Sequence, residues 1–329
     1  MNEVQVEQDR LTTLVAAALN HDRHATARLI SVFQDRRPRA AEWRRRVWAE
    51  LDRQGAQAEA VVIGITGTPG SGKSTLLARL GVDLLAADPQ LTVAVLAIDP
   101  SSPVSGGALL GDRARVRGHL DERLYFRSEA ADSELGGLSP SSFQVCRLLC
   151  RLFDCVIVET VGIGQSEGDI RHLADHVYLV LAPLGGDELQ LMKAGIVEIP
   201  DGFVVNKCDE PAAARTYNQL KATLWLARPA DGDRLPIFQT SAKSGAGIEQ
   251  LRGAVAAQIA AGPTAGRATR DHYFFERWVK DEWGRSGLAY LRAEPEGAAG
   301  MLARAEGDLD RAASEFSAAL KGALGSPTQ

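Results

Sequence analysis

The sequence predicts an α/β fold: a doubly wound, mainly parallel sheet with helical extensions at both ends. Three observations predict it. Between residues 59 and 261, apolar runs of strand length alternate with helical stretches, the pattern of a sheet wound with helices on both faces. Each run is continuous rather than alternating, as strands covered on both faces read. Outside these limits the apolar residues recur at helical spacing instead.

The first 58 residues read as an N-terminal helical extension. Leu11, Leu14, Val15 and Ala18 lie on one helix face, and Ala25, Leu29, Val32 and Phe33 on another, with His21-Asp22 between them. Asp35-Arg36-Arg37-Pro38 breaks the second helix, because proline disfavours helix in the residue before it. Residues 40–54 make a third, Arg-rich helix with Trp43 and Val47 on one face, its arginines expected on a solvated surface. The strands then follow at 61–66, 92–98, 154–159, 177–182, 203–206 and 236–239. Gly262-Pro263-Thr264-Ala265-Gly266 reads as a linker. The C-terminal segment, 262–329, looks helical, with Phe274, Phe275, Trp278, Val279, Leu302, Leu309, Ala312, Phe316 and Leu320 at core spacing. It is too short to hold a large core alone, so it packs on the central domain or on a second copy of itself.

With 329 residues, 45% of them hydrophobic and 24% charged, the chain is long and apolar enough to fold as a globular protein of two domains, or one with appendages. A net charge of −5 argues against a broad nucleic-acid-binding face. No apolar run reaches the ~18 residues of a membrane span. Four cysteines, Cys146, Cys150, Cys155 and Cys208, are too few and too uneven to staple the chain, so a reduced, cytoplasmic setting is expected. Cys146 and Cys150 share a helix face, but Cys155 falls in a strand, so they read as small buried hydrophobes rather than metal ligands. His172 and His176 have the spacing of paired zinc ligands without the adjoining glutamate, and carry little weight.

Strand 61–66 runs into Gly67-Thr68-Pro69-Gly70-Ser71-Gly72-Lys73-Ser74-Thr75, a full G-x-x-x-x-G-K-[ST] with a strand before it and a helix-compatible run, Leu76–Ala86, after it. The glycines let the backbone turn around a phosphate, so that successive N–H groups and the helix N-terminus face the anion. Lys73 would reach the terminal phosphates and the Ser74 hydroxyl would ligate Mg²⁺. Strand 154–159 ends in Glu159, followed by Thr160-Val161-Gly162. A carboxylate there can hold the metal, and the glycine can approach the γ-phosphate. Asp99 ends strand 92–98 and is a second metal-side carboxylate; its bland reading is a turn residue before Pro100. Asn206-Lys207-Cys208-Asp209 closes the next strand with N-K-x-D. A carboxylate at Asp209 accepts from the guanine N1–H and exocyclic amine, a donor pair that adenine lacks. Thr240-Ser241-Ala242-Lys243 suits a loop closing on the base oxygen through backbone N–H, so Ser241, Ala242 and Lys243 join the nucleotide-binding set. The nucleotide read from these motifs is GTP or GDP. Gln165 stands open between placing a water and shaping its loop, and no residue declares itself a catalytic base.

Ile98-Asp99-Pro100-Ser101-Ser102-Pro103-Val104-Ser105-Gly106-Gly107-Ala108-Leu109-Leu110-Gly111, then Asp112-Arg113-Ala114-Arg115, Glu159-Thr160-Val161-Gly162-Ile163-Gly164-Gln165-Ser166-Glu167 and Gly186-Asp187-Glu188-Leu189-Gln190 together resemble the MeaB family of P-loop GTPases, which includes the methylmalonic aciduria type A protein. The resemblance is clear over about 20–260 and weaker beyond 266. It implies a homodimeric GTPase, slow alone, that gates cofactor loading and protects or reactivates an adenosylcobalamin-dependent acyl-CoA mutase. Carried onto this chain, it implies that Ser74, Asp99, Asp112 and Glu159 are the Mg²⁺-side positions, and that Arg113 and Arg115 lie in a switch beside the phosphates. Leu184 to Lys193 match a further switch facing the mutase. The chain departs from the family after strand Leu124–Arg127, where Ser128-Glu129-Ala130-Ala131-Asp132-Ser133-Glu134 replaces a basic stretch, and Leu191-Met192 is bulkier than usual. The partner that the resemblance implies is methylmalonyl-CoA mutase or a related mutase. Two other readings compete with it. A nickel-inserting metallochaperone GTPase would carry His-rich tracts, whereas six scattered histidines are present. A small-molecule kinase needs an acceptor-positioning base and has no use for Asp209.

Overall fold

The structure, a computed structural model, describes residues 3–35, 37, 39–56, 59–99, 121–130, 138–160, 167–183, 196–229, 231, 234–264 and 266–325. Seven strands are found among them: β1 (Val61–Gly67), β2 (Val93–Asp99), β3 (Leu124–Ala130), β4 (Cys155–Glu159), β5 (His176–Leu181), β6 (Gly202–Val205) and β7 (Ile237–Gln239). They form one sheet in the order β3-β2-β4-β1-β5-β6-β7, with every neighbouring pair parallel.

The described helices are α1 (Glu3–Leu19), α2 (Arg23–Gln34), α3 (Ala40–Arg53), α4 (Lys73–Ala87), α5 (Pro140–Leu152), α6 (Glu167–Leu173), α7 (Ala213–Ala227), α8 (Ile248–Ala261), α9 (Arg267–Ala293), α10 (Gly297–Arg304) and α11 (Leu309–Gly325). They cover both sheet faces, which explains why the strand sequences do not alternate. Val61, Ile63, Ile65, Val93, Val95 and Ile157 pack with Leu76, Leu77 and Leu80 of α4 and Leu251 and Val255 of α8. Their neighbours Val62, Ala94, Leu96, Val156 and Val158 point the other way, onto Leu149 of α5 and Leu173 of α6. Beside them Leu179, Leu181, Phe203 and Val205 meet Leu220 and Leu224 of α7.

β3 was not among the apolar runs, and only the family resemblance named it as a strand. Among the described residues it is an edge strand pairing with β2 alone, and just three of its seven residues are buried. An edge strand needs less apolar surface than a central one, so its sequence gives little signal. The other strands match the expected runs with ends shifted by a residue or two.

The helices at both ends share one core with the sheet. Leu29, Ile30, Phe33, Val47 and Leu51 belong to the same buried cluster as Phe274, Phe275, Val279, Phe316 and Leu320. Burying such side chains stabilises the fold by about 1.5–3 kcal/mol each. Asp22 caps α2 by accepting from the Ala25 N–H at 2.6 Å. The expected solvated face of α3 needs one correction. Arg45 and Arg53 are exposed, but the Arg44 guanidinium is 12% exposed and forks onto Asp310 of α11, with Nη2 to Oδ1 at 2.6 Å and Nε to Oδ2 at 2.8 Å. A planar fork matches a carboxylate better than an ammonium does, so this arginine joins the two extensions. Cys146, Cys150 and Cys155 are free and buried, and burial pushes the Cys155 thiol up. No described helix is long and apolar enough to cross a membrane.

Candidate nucleotide site

In a doubly wound sheet, the crevice opens where neighbouring parallel strands send their connections to opposite faces. Here β1 lies beside β4, and Ile65 is in register with Glu159. β1 leads to α4 on one face, while α6, which follows β4, packs on the other. The carboxyl ends of β1 and β4 therefore frame the crevice.

The loop 67–72 fills that position. Gly67, Gly70 and Gly72 have φ of 146°, 77° and 83°, backbone that L side chains rarely adopt. A Cβ on Gly67 would fall 2.0 Å from the Val180 carbonyl oxygen, and one on Gly72 2.7 Å from Asn206 Nδ2. Ser71 closes the turn, its hydroxyl donating to the Thr68 carbonyl at 2.8 Å. Lys73 is the first residue of α4, and its Nζ lies folded across the loop, donating to Gly67 O at 2.8 Å and Thr68 O at 3.1 Å. Pro69, Gly70 and Thr75 are exposed. The Ser74 hydroxyl donates to Glu159 Oε1 at 2.9 Å, joining the two strand ends. Glu159 is buried at the end of β4, and Asp99 closes β2 on its far side.

The base-side residues follow β6 and β7. The Asn206 side chain is buried and straps three segments together. Its Nδ2 donates to Ser71 O at 2.8 Å, and its Oδ1 accepts from Thr240 Oγ1 at 3.2 Å and the Ala242 N–H at 3.3 Å. The next residue, Lys207, has φ of 56°, a left-handed conformation that turns the chain sharply. Asp209 is exposed; a hydrogen bond from the Ser241 hydroxyl, with Lys243 and Lys207 nearby, holds its carboxyl below the usual range. The loop after β7 is pinned by Cys208 N donating to Thr240 O at 2.9 Å and by Gly247, whose Cβ would sit 1.8 Å from Gln239 O. Lys73, Ser74, Glu159, Asn206, Ser241 and Ala242 are thus brought to one edge of the sheet.

Asp112, Arg113, Arg115, Gly162, Gln165 and the 184–193 stretch lie outside the described residues. Of the acidic departure, Glu129 is described: it is buried at the end of β3 and accepts from Gln34 Nε2 at 2.8 Å. One contact went unread in the sequence. Thr160 Oγ1 donates to Thr66 Oγ1 at 3.1 Å, while its N–H donates to Ile65 O at 3.0 Å. Thr66 lies in β1 and reads there as an ordinary β-former, so its side of the contact carries no signal in the sequence. His172 stacks on Tyr273 with ring centroids 3.7 Å apart.

A family described as "Methylmalonyl Co-A mutase-associated GTPase MeaB" matches residues 26–282. A chain of Pyrococcus abyssi is 42% identical over 235 residues, 70% of each chain. The mitochondrial methylmalonic aciduria type A homologue of Mus musculus is 37% identical over 196 residues, 57% of this chain and 46% of that one. Among solved structures, an LAO/AO transport system kinase superposes with a TM-score of 0.61 over 98% of this chain and 99% of that one, at 23% identity, a likeness of fold.

Proposed function

The chain belongs to the MeaB family of P-loop GTPases and hydrolyses GTP, and from that premise we propose that it serves as a checkpoint for an adenosylcobalamin-dependent acyl-CoA mutase. In this reading it gates cofactor loading and protects or reactivates the mutase. The observation that carries it is the family match, whose bounds take in the phosphate loop, Glu159 and Asn206–Asp209 and reach into α9. Among the described residues nothing favours nickel insertion or a kinase activity.

Within the site we assign Gly67, Pro69, Gly70, Ser71, Gly72, Lys73, Ser74 and Thr75 to the phosphates, with Gly162 at the γ-phosphate. Asn206, Lys207, Asp209, Ser241, Ala242 and Lys243 take the guanine. The Ser74 hydroxyl and Glu159 carboxylate, in mutual contact, form the hard oxygen set that suits Mg²⁺. With Asp99 and Asp112 they would hold the ion, which would supply positive charge beside the phosphates. Lys73 adds a fixed cation, and Arg113 and Arg115 would supply further charge stabilisation. We assign 1–58, 59–261 and 262–329 as helical extension, GTPase domain and dimerisation arm of a cytoplasmic homodimer.

The test measures GTP turnover with and without each adenosylcobalamin-dependent acyl-CoA mutase of the source genome, and mutase affinity with GTP and GDP bound. A cognate mutase should raise kcat, since arginine placement contributes up to ~10³–10⁵ in other GTPases. Linkage then requires GTP and GDP to differ in their effect on mutase affinity. If no mutase changes either quantity, the checkpoint role is rejected and the GTPase assignment stands.

A further inference from the structure

α9 is held to the GTPase core twice, and the two attachments differ in what they touch. The first is a docking contact. Arg270 pairs with buried Asp175 at 2.7 Å, Arg147 pairs with Asp271 at 3.1 Å, and Phe274 stacks on Phe143 with centroids 3.9 Å apart. The second converges on one carboxylate of α6. Asp169 is buried, and its Oδ1 accepts from the Tyr273 hydroxyl at 2.8 Å and from Arg277 Nη1. Its Oδ2 accepts from the Leu138 N–H at 3.3 Å, just before α5. The Tyr273 ring also lies flat on His172, one helical turn along α6.

α6 is not an ordinary surface helix. Its Ile170 presses on the bare backbone of β1 at Gly64, where a Cβ would lie 2.7 Å from Ile170 Cγ1. β1 runs from there into the phosphate loop and is in register with Glu159. A close-packed contact of this kind transmits displacement rather than absorbing it. We propose that Asp169 is a positioning residue for GTP hydrolysis, through which Tyr273 and Arg277 of α9 hold α6 against β1 and keep the phosphate loop and Glu159 in their working relation. The C-terminal segment then senses the nucleotide as well as packing on the domain that binds it. The inference rests on the GTPase activity and is independent of the mutase partner.

The experiment uses the full chain alone. Steady-state GTP hydrolysis is measured for Tyr273→Phe, Arg277→Met, Arg277→Lys, Asp169→Asn and the Asp169→Asn/Arg277→Met double variant. Arg147→Met, which removes the ion pair to Asp271 and leaves the contacts of Asp169 in place, is the control. Arg277→Met should lower kcat by about fivefold with KM for GTP within about twofold, the pattern of a group that acts on the chemical step. Arg277→Lys should recover part of the loss. The double variant should lose no more than the worse single one, because both act through one contact. Arg147→Met should lower Tm and leave kcat alone. Hydrogen exchange along 267–283 should differ between GDP and a non-hydrolysable GTP analogue in the wild type, and the difference should vanish in Arg277→Met. The proposal is overturned by wild-type kcat in folded Tyr273→Phe and Arg277→Met, by additive losses in the double variant, by an equal loss in Arg147→Met, or by exchange indifferent to nucleotide in the wild type. Should Arg277→Met fail to fold, Tyr273→Phe decides: it removes one hydroxyl and keeps the stacking, and unchanged kcat there is a refutation.

Discussion

Replacing Asn206 with alanine tests whether the phosphate loop and the base-side loops are one mechanical unit. The side chain is 1% exposed and makes one donated and two accepted hydrogen bonds, at 2.8, 3.2 and 3.3 Å. At about 0.5–1.5 kcal/mol net for each bond, and with the Ala242 N–H left without this acceptor, the loss should be about 2–4 kcal/mol. At about 2–4 °C per kcal/mol for a chain of this order of size, Tm should fall by about 4–16 °C. Part of that energy preorganises the site: with the strap gone, the loop carrying Ser71 and Gly72 must be ordered by the nucleotide itself. If about 1.4 kcal/mol is transferred in this way, the Kd for GDP rises about tenfold. Asn206→Asp sharpens the test. It keeps an acceptor for Thr240 and Ala242 but sets a carboxylate oxygen against the Ser71 carbonyl, so it should weaken nucleotide binding at least as much. The assays are differential scanning calorimetry without nucleotide and titration with a fluorescent GDP analogue. A fall in Tm with unchanged Kd in both variants would show that Asn206 is structural glue and that the loops are independent.

Lys73→Ala and Ser74→Ala should abolish GTP hydrolysis, and Glu159→Ala should impair turnover more than nucleotide binding; wild-type hydrolysis by Lys73→Ala would mean the site is misassigned. Asp209→Asn should weaken guanine binding and admit xanthine nucleotides, while the wild type should prefer GTP over ATP; equal affinity for the two in a titration refutes the base assignment. The hydrogen bond from Arg53 holds the Glu50 carboxyl down at about 2, against an ordinary value of 4.5. Because the folded value is depressed, its contribution to stability is complete above about 4.5 and is lost as pH falls toward 2. Chemical denaturation of the wild type and Glu50→Gln from pH 7 to pH 3 should therefore show the gap between them narrowing with acid; a constant gap would exclude the linkage.

The sequence alone determined the chemistry carried by contiguous residues. Glycines at 67, 70 and 72 declare their positive φ because few other residues tolerate it, and the lysine and hydroxyl that follow have one natural place on a helix N-terminus. The central strands were legible because burial on both faces demands an unbroken apolar run. What the sequence left open depends on contacts between distant segments, which no local pattern encodes. Edge strand β3 has a single neighbour among the described residues and needed no such run. Arg44 reads as one more charge on a surface helix until α11 brings Asp310 to it. Asp169 lies in an unremarkable helical stretch, and only the return of α9 across that face sets Tyr273 and Arg277 upon it. Asn206 was recognisable as part of a base-reading motif, but its strap to Ser71 requires β6 and β1 to stand one strand apart, with β5 between them. Local preference and burial period are written along the chain, whereas the pairing of polar groups across it is decided only when the sheet order fixes which segments meet.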